Sequence, residues 1–218
     1  MIIIQTILFS FFCLITILSI SGLGTLLNPT KKKELLENFF LGFLVMALTV
    51  TIIHFFYKIN LIIIFLIFVA GLFASIKNYK HSFKKINHNV YLYVLIFIIL
   101  IPIYLSQKYH EDFGYYHLPY VITIIEEKII FGLANANSAF AHNSIWLNIL
   151  PIFYINENYD FILIPTFLIY SVFIIYSFSL INKEKKTISN FFLIVCLFYI
   201  VLKFTRISEY GNDIPALI

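Results

Sequence analysis

The chain has 218 residues, of which 61% are hydrophobic and only 12% charged, and its mean hydropathy is +0.93. Soluble domains carry roughly 25% charged residues, so the composition excludes a soluble domain with a large core and predicts an all-α, polytopic membrane protein. The net charge of +4 comes from fourteen lysines and one arginine, most of them in short turns between apolar runs, and that distribution gives no nucleic-acid surface.

Residues 2–27 contain no charge and are long enough to cross a hydrocarbon core of ~30 Å with some tilt. No basic residue precedes this run and no small-residue cleavage site is evident, so a retained helix is expected in place of a signal peptide. Asn28-Pro29-Thr30 ends it and Lys31-Lys32-Lys33 follows. Asn38–Tyr57 is the second predicted span, interrupted only by His54 near its end. After the tight turn Lys58-Ile59-Asn60 comes a third, Leu61–Ile76. A basic loop with Lys77, Lys80, Lys84 and Lys85 leads into the fourth, Asn89–Gln107, where Pro102 is tolerated as a kink.

Beyond residues 108–160, Phe161–Ile181 is a fifth span, Lys183-Glu184-Lys185-Lys186 a basic turn, and Ile188–Thr205 a sixth span. Lys203, near the end of the sixth, can snorkel to the interface. Ile214–Ile218 turns apolar again, which reads as a seventh helix beginning and predicts a fragment of a longer protein. Three regions result: residues 1–107 with four transmembrane helices and cytoplasmic basic loops, an external loop over 108–160 with interfacial helices, and residues 161–218 with two further helices and a second external acidic segment. Cys13 and Cys196 sit inside apolar runs and read as buried thiols.

Basic residues mark cytoplasmic loops, and ten of the fifteen fall in three alternate connections: Lys31–Lys33, Lys77 to Lys85, and Lys183 to Lys186. With those loops inside, the N-terminus, the 58–60 turn, residues 108–160 and residues 206–213 all lie outside. Eight of the eleven acidic residues then face outward.

The external segment carries what chemistry the chain has. It holds Glu111, Asp112, Glu126, Glu127, His110, His117, His142 and the only tryptophan, Trp146. Tyr115–Glu127 is amphipathic, with Tyr116, Tyr120 and Ile124 on one helical face; Gly132 breaks it, and Ile145–Phe153 is a second apolar run too short to span. Two interfacial helices joined by a polar turn would make a floor at the bilayer surface. Asp112 follows the fourth span and Asp213 the sixth, so two acidic clusters share one face. A carboxylate there can take a proton from an acceptor hydroxyl or hold a divalent cation through oxygen, or it can simply be a solvated helix end. The histidines show neither HxH nor HExxH spacing, so no transition-metal site is expected. A Gly-rich phosphate loop, GxSxG and CxxC are also missing from the sequence.

Asp112-Phe113-Gly114-Tyr115-Tyr116-His117-Leu118-Pro119, followed by Gly132-Leu133-Ala134-Asn135 and His142-Asn143-Ser144, resembles bacterial multi-pass proteins of the GT-C glycosyltransferase type, over roughly residues 100–215. The resemblance implies a protein of the bacterial inner (plasma) membrane that transfers a sugar from a polyprenyl-phosphate-linked donor on the outer face. It implies Asp112 as the catalytic base or cation-linked carboxylate, with Glu111 beside it and Asp213 as the second acidic contributor. His117 and Asn143 would hold the loop or the donor, together with Tyr116 and Asn135 of the same motif. Lys108, Lys128 and Arg206 would meet the donor phosphate. No metal ligand is assigned and the cofactor stays open, a divalent cation on the carboxylates being one candidate. The expected partners are membrane lipids and the lipid-linked donor. The chain departs from the simplest GT-C plan, in which the large loop follows the first span and not the fourth. Three other readings remain: a transporter or flippase, which predicts ionisable groups within spans where this chain has only His54 and Lys203 near ends; an O-antigen polymerase or ligase; and an inactive membrane anchor.

Overall fold

Long charge-free runs become helices because, without water, every backbone N–H and C=O must be paired inside its own segment. The computed structural model describes residues 2–28, 35–79, 94–95, 97–101, 113–141, 145–155, 159–183 and 188–203. The helices are α1 (Ile2–Leu27), α2 (Leu35–Phe56), α3 (Leu61–Tyr79), α4 (Leu118–Glu126), α5 (Leu133–Ala136), α6 (Ile145–Ile149), α7 (Ile164–Lys183) and α8 (Ile188–Leu202). Residues 97–101 are helical as well, and no β-strand occurs among the described residues.

Four helical segments among the described residues are long and apolar enough to cross a membrane: Thr6–Leu27, Leu36–Phe56, Leu61–Asn78 and Phe161–Ile181. They point to a membrane protein. α8 is equally apolar but has 15 residues. Of the expected fourth span, only residues 94–95 and 97–101 are described, and Ile214–Ile218 lies outside the described residues.

α1 is the spine, packed between α2 and α3. Its Gly24 meets Asn38 and Gly42 of α2 so closely that an added Cβ would overlap the Asn38 carbonyl, and a Cβ on Gly42 would overlap that of Ile20. On the other side, Gly22 meets Gly71 and Ser75 of α3, and Ser19 Oγ donates to the Phe68 carbonyl at 3.1 Å. Small residues that let backbones touch are how helices associate in lipid, where no hydrophobic force separates a protein surface from its solvent.

One end of this trio is clasped by side chains. Asn28 Nδ2 donates to Asn38 Oδ1 at 3.0 Å, Asn78 Nδ2 donates to Thr25 Oγ1 at 2.8 Å, and Tyr176 OH of α7 donates to the Glu37 carboxylate at 3.4 Å. At the opposite end, Asn60 Oδ1 accepts the Ile63 N–H at 3.0 Å, an N-cap that starts α3 immediately after the tight turn.

α7 begins as a 3-10 turn at Tyr159–Leu163 and is the most enclosed long helix, whereas α3 turns most of its surface outward. Its entry is set by aromatic contacts at 4.9 Å for Phe12–Phe161, 5.4 Å for Phe9–Phe167 and 5.1 Å for Phe97–Phe167. The short apolar run at 145–153 differs from its expected place on the surface. α6 and the following 3-10 turn Leu150–Phe153 sink into the bundle, with Trp146 stacked on Phe43 of α2 at 5.5 Å and Phe153 edge-on to Phe68 of α3 at 6.3 Å. Every residue from Trp146 to Phe153 is buried, so the run gains more by filling the α2–α3 groove than by lying at an interface.

Candidate functional site

The end of α4, the chain after it as far as Phe131, and the 3-10 turn after α6 gather at the end of the bundle where α2 finishes and α3 starts. Phe113–His117 forms a π-helical turn, a wider coil that often marks functional segments, and it brings the Tyr116 and His117 rings to 4.3 Å. α4 follows directly, with Pro119 in its first turn, where the missing N–H costs nothing. Thr123 Oγ1 donates back to the Pro119 carbonyl at 2.9 Å. Tyr120, Val121 and Ile124 are the buried face of α4, and burial pushes the Tyr120 phenol above its usual range. The expected face shared Tyr120 and Ile124, but Tyr116 is only half-buried.

α4 is tied to α2 through His54, whose side chain is fully buried. His54 Nε2 lies 3.0 Å from the Glu127 carbonyl oxygen, so the tautomer with the proton on Nε2 donates there. The Ile129 N–H in turn donates to the His54 carbonyl at 3.1 Å, and Phe131 stacks on Phe55 at 5.6 Å. The chain after α4 is thus strapped along the last turn of α2. Gly132 then adopts a left-handed conformation, φ +79°, which a side chain rarely takes, and the Asn135 N–H closes the turn onto its carbonyl at 2.8 Å.

The strap leaves a cleft of about 560 Å³ between the 58–60 turn, the end of α4 and the 3-10 turn after α6. Lys58, Asn60, Glu126 and Tyr154 supply its polar groups, and Ile59, Leu61, Ile62, Ile64, Ile125 and Pro151 its apolar walls. Lys58 and Glu126 are exposed, and no salt bridge is formed by either among the described residues. A cation and a carboxylate set over apolar walls suit an amphiphile, with its polar head in water and its chain against isoleucine and leucine.

Of the residues singled out from sequence, Glu111, Asp112, Asp213, Asn143, Lys108 and Arg206 lie outside the described residues. Tyr116 and His117 share the π turn; Asn135 is exposed on α5, and Lys128 is exposed beside the strap. Among the described residues, no group of three His, Cys, Asp or Glu side chains comes together. Two features escaped sequence reading. One is the partner of His54, a carbonyl 73 residues away that no sequence pattern links to it. The cleft joins the 58–60 turn to Glu126 and Tyr154, and no spacing rule links those segments.

Fold and site together define a helical, membrane-type protein with a polar-mouthed apolar cleft at one end of its bundle. The chain belongs to the family described as Domain of unknown function (DUF8201), whose model matches residues 1–218. No curated protein and no solved structure matches it.

Proposed function

We propose that the protein is a GT-C-type glycosyltransferase of the bacterial plasma membrane, moving a sugar from a polyprenyl-phosphate-linked donor to an acceptor on the outer face. In this reading the chain crosses six times with its N-terminus outside, and residues 108–160 form the external segment. The observation that carries it is the cleft, because its charged and hydroxyl-bearing mouth over an apolar floor matches a donor with a sugar-phosphate head and a hydrocarbon tail. Its association with the segment bearing the Asp112 motif supports the same reading.

The reaction requires the acceptor oxygen to attack the anomeric carbon as the bond from that carbon to the donor phosphate breaks. The hydroxyl proton goes to a carboxylate, and polyprenyl phosphate leaves. Asp112 is the base, with Glu111 and Asp213 as the other acidic groups. Lys108 and Arg206, with Lys58 at the cleft, meet the phosphate, while Tyr116, His117, Asn135 and Asn143 hold the donor head.

The test is transfer from a panel of radiolabelled polyprenyl-phosphate sugars in membranes containing the wild-type chain or Asp112→Asn. Loss of a catalytic base costs on the order of 10²–10⁴-fold in rate, and insertion into the membrane should be unaffected. Full transfer by Asp112→Asn removes Asp112 as the base, and no transfer by wild type from any donor removes the glycosyltransferase reading.

A further inference from the structure

The segment from Ile145 to Phe153 lies too deep in the bundle to be a surface helix and is too short to cross it. Trp146 contacts Phe43, which precedes Phe56, the last residue of α2, by thirteen positions, or ~20 Å along the axis at ~1.5 Å per residue. Phe153 contacts Phe68, seven positions after Leu61, the first residue of α3, or ~10 Å along it. Those two helices present exposed apolar side chains all the way to this end: Leu44, Leu48, Ile52 and Phe56 on α2, and Leu61, Ile62, Phe65 and Leu66 on α3. Hydrocarbon therefore covers the level at which Trp146 sits.

Both flanks of the segment return to the same end. Upstream, Ile129 is bonded to His54 and Phe131 is stacked on Phe55; downstream, Tyr154 lines the cleft with Lys58, Asn60 and Leu61. The helix between them is one turn and a half, broken at Leu150-Pro151 into a 3-10 turn. Irregular backbone is tolerated at membrane depth only where protein or a water-filled cavity encloses it. Here protein does, since every residue from Trp146 to Phe153 is buried.

We propose that Ile145–Phe153 is a re-entrant wedge, which enters and leaves at the end of the bundle carrying the 58–60 turn and reaches the middle of the bilayer between α2 and α3. The wedge fills the groove into which a lipid chain would otherwise settle, and it sets the floor of the cleft at Pro151. It holds whatever reaction the protein performs, so its failure and that of the glycosyltransferase reading are separate.

Trp146 is the only tryptophan, so the unmodified chain reports its own depth. In vesicles containing phosphatidylcholine brominated either in the middle of the acyl chain or near the glycerol, mid-chain bromine should quench Trp146 roughly twofold more, because the half-thickness of the core is ~15 Å. Stronger quenching by the shallow label makes the segment a surface helix and overturns the wedge. Sidedness is read in sealed vesicles with a membrane-impermeant maleimide, on Glu127→Cys and Tyr154→Cys in a chain lacking Cys13 and Cys196. Both should label from one side; labelling from opposite sides makes the stretch between them a full crossing and overturns the proposal.

Discussion

Gly42→Ala should unfasten the bundle at its spine. The added Cβ would lie 2.6 Å from the Ile20 carbonyl carbon and 2.7 Å from the Gly24 nitrogen, against an optimal separation between non-bonded carbons of ~3.5–4.0 Å. Neither obstacle is a flexible side chain, so α1 and α2 must part by roughly 1 Å, a gap that forfeits a quarter to a half of each contact's dispersion energy. That loss is spread along a seam that also contains Gly24 and the buried Asn28–Asn38 amide pair. Overpacking a core typically costs ~1–3 kcal/mol, and a clash against backbone belongs at or above the upper end. Gly114→Ala is the control, because nothing lies within 4 Å of the position its Cβ would take. Both variants would be unfolded in mixed detergent micelles while Trp146 emission is followed, since that ring stacks on Phe43, next in sequence to Gly42. The expected result is a loss of about 3 kcal/mol for Gly42→Ala and less than ~0.5 kcal/mol for Gly114→Ala. Equal stability of the two variants refutes the close α1–α2 seam.

Trp146→Ala should destabilise the chain by about 3–5 kcal/mol, through lost burial and the cavity left beside Phe43; circular dichroism during detergent unfolding measures it, and a loss below ~1 kcal/mol argues against a packed wedge. His54→Leu removes the donor to the Glu127 carbonyl but keeps the backbone bond from Ile129, a net cost of about 1 kcal/mol. Hydrogen exchange should then quicken roughly fivefold at Ile129 with α1 and α2 unchanged; exchange that rises in α1 and α2 equally makes His54 a general core residue and not the anchor of the strap.

Much of the helical frame was legible because the membrane leaves the chain few choices. Leu61, Phe161 and the turn Lys58-Ile59-Asn60 stand where charge-free runs meet polar punctuation, and the structure begins α3 and the fourth long apolar segment there. The polar partners at the edge of the second span were not legible: Glu37 and Asn38 are satisfied by Tyr176 and Asn28, which a hydropathy pattern does not show. The run Ile145–Phe153, expected at the surface, packs against Phe43 and Phe68, and this too was hidden for a related reason. Ile145–Phe153 reads identically whether its apolar side chains meet lipid headgroups or Phe43 and Phe68. Depth is a property of the tertiary groove, and nothing in nine consecutive residues encodes it. The glycine seam went unread, although Gly22 and Gly24 in α1, Gly42 in α2 and Gly71 in α3 are small residues inside apolar spans, the composition that close helix contacts demand.

The two ends of the bundle are held by different kinds of interaction, and the difference bears on where the protein can adapt. At the clasped end, Asn28–Asn38, Asn78–Thr25 and Tyr176–Glu37 are side-chain hydrogen bonds that lock the beginning of α2 against the ends of α1 and α3 and against α7. The Asn28–Asn38 bond is buried and the other two are partly so, and three such links among four helices make this the stiffer end. At the cleft end, the strap hangs on one imidazole, one backbone amide and the Phe131–Phe55 stack, and the apolar walls are mostly aliphatic side chains with many rotamers. Ligand-binding segments are drawn from the less stable parts of a fold because they must rearrange around their occupant. The tight glycine seams beneath then do a second job. By fixing α2 and α3 against α1, they confine any such rearrangement to residues 125–131 and 151–154, the short stretches that border the cleft.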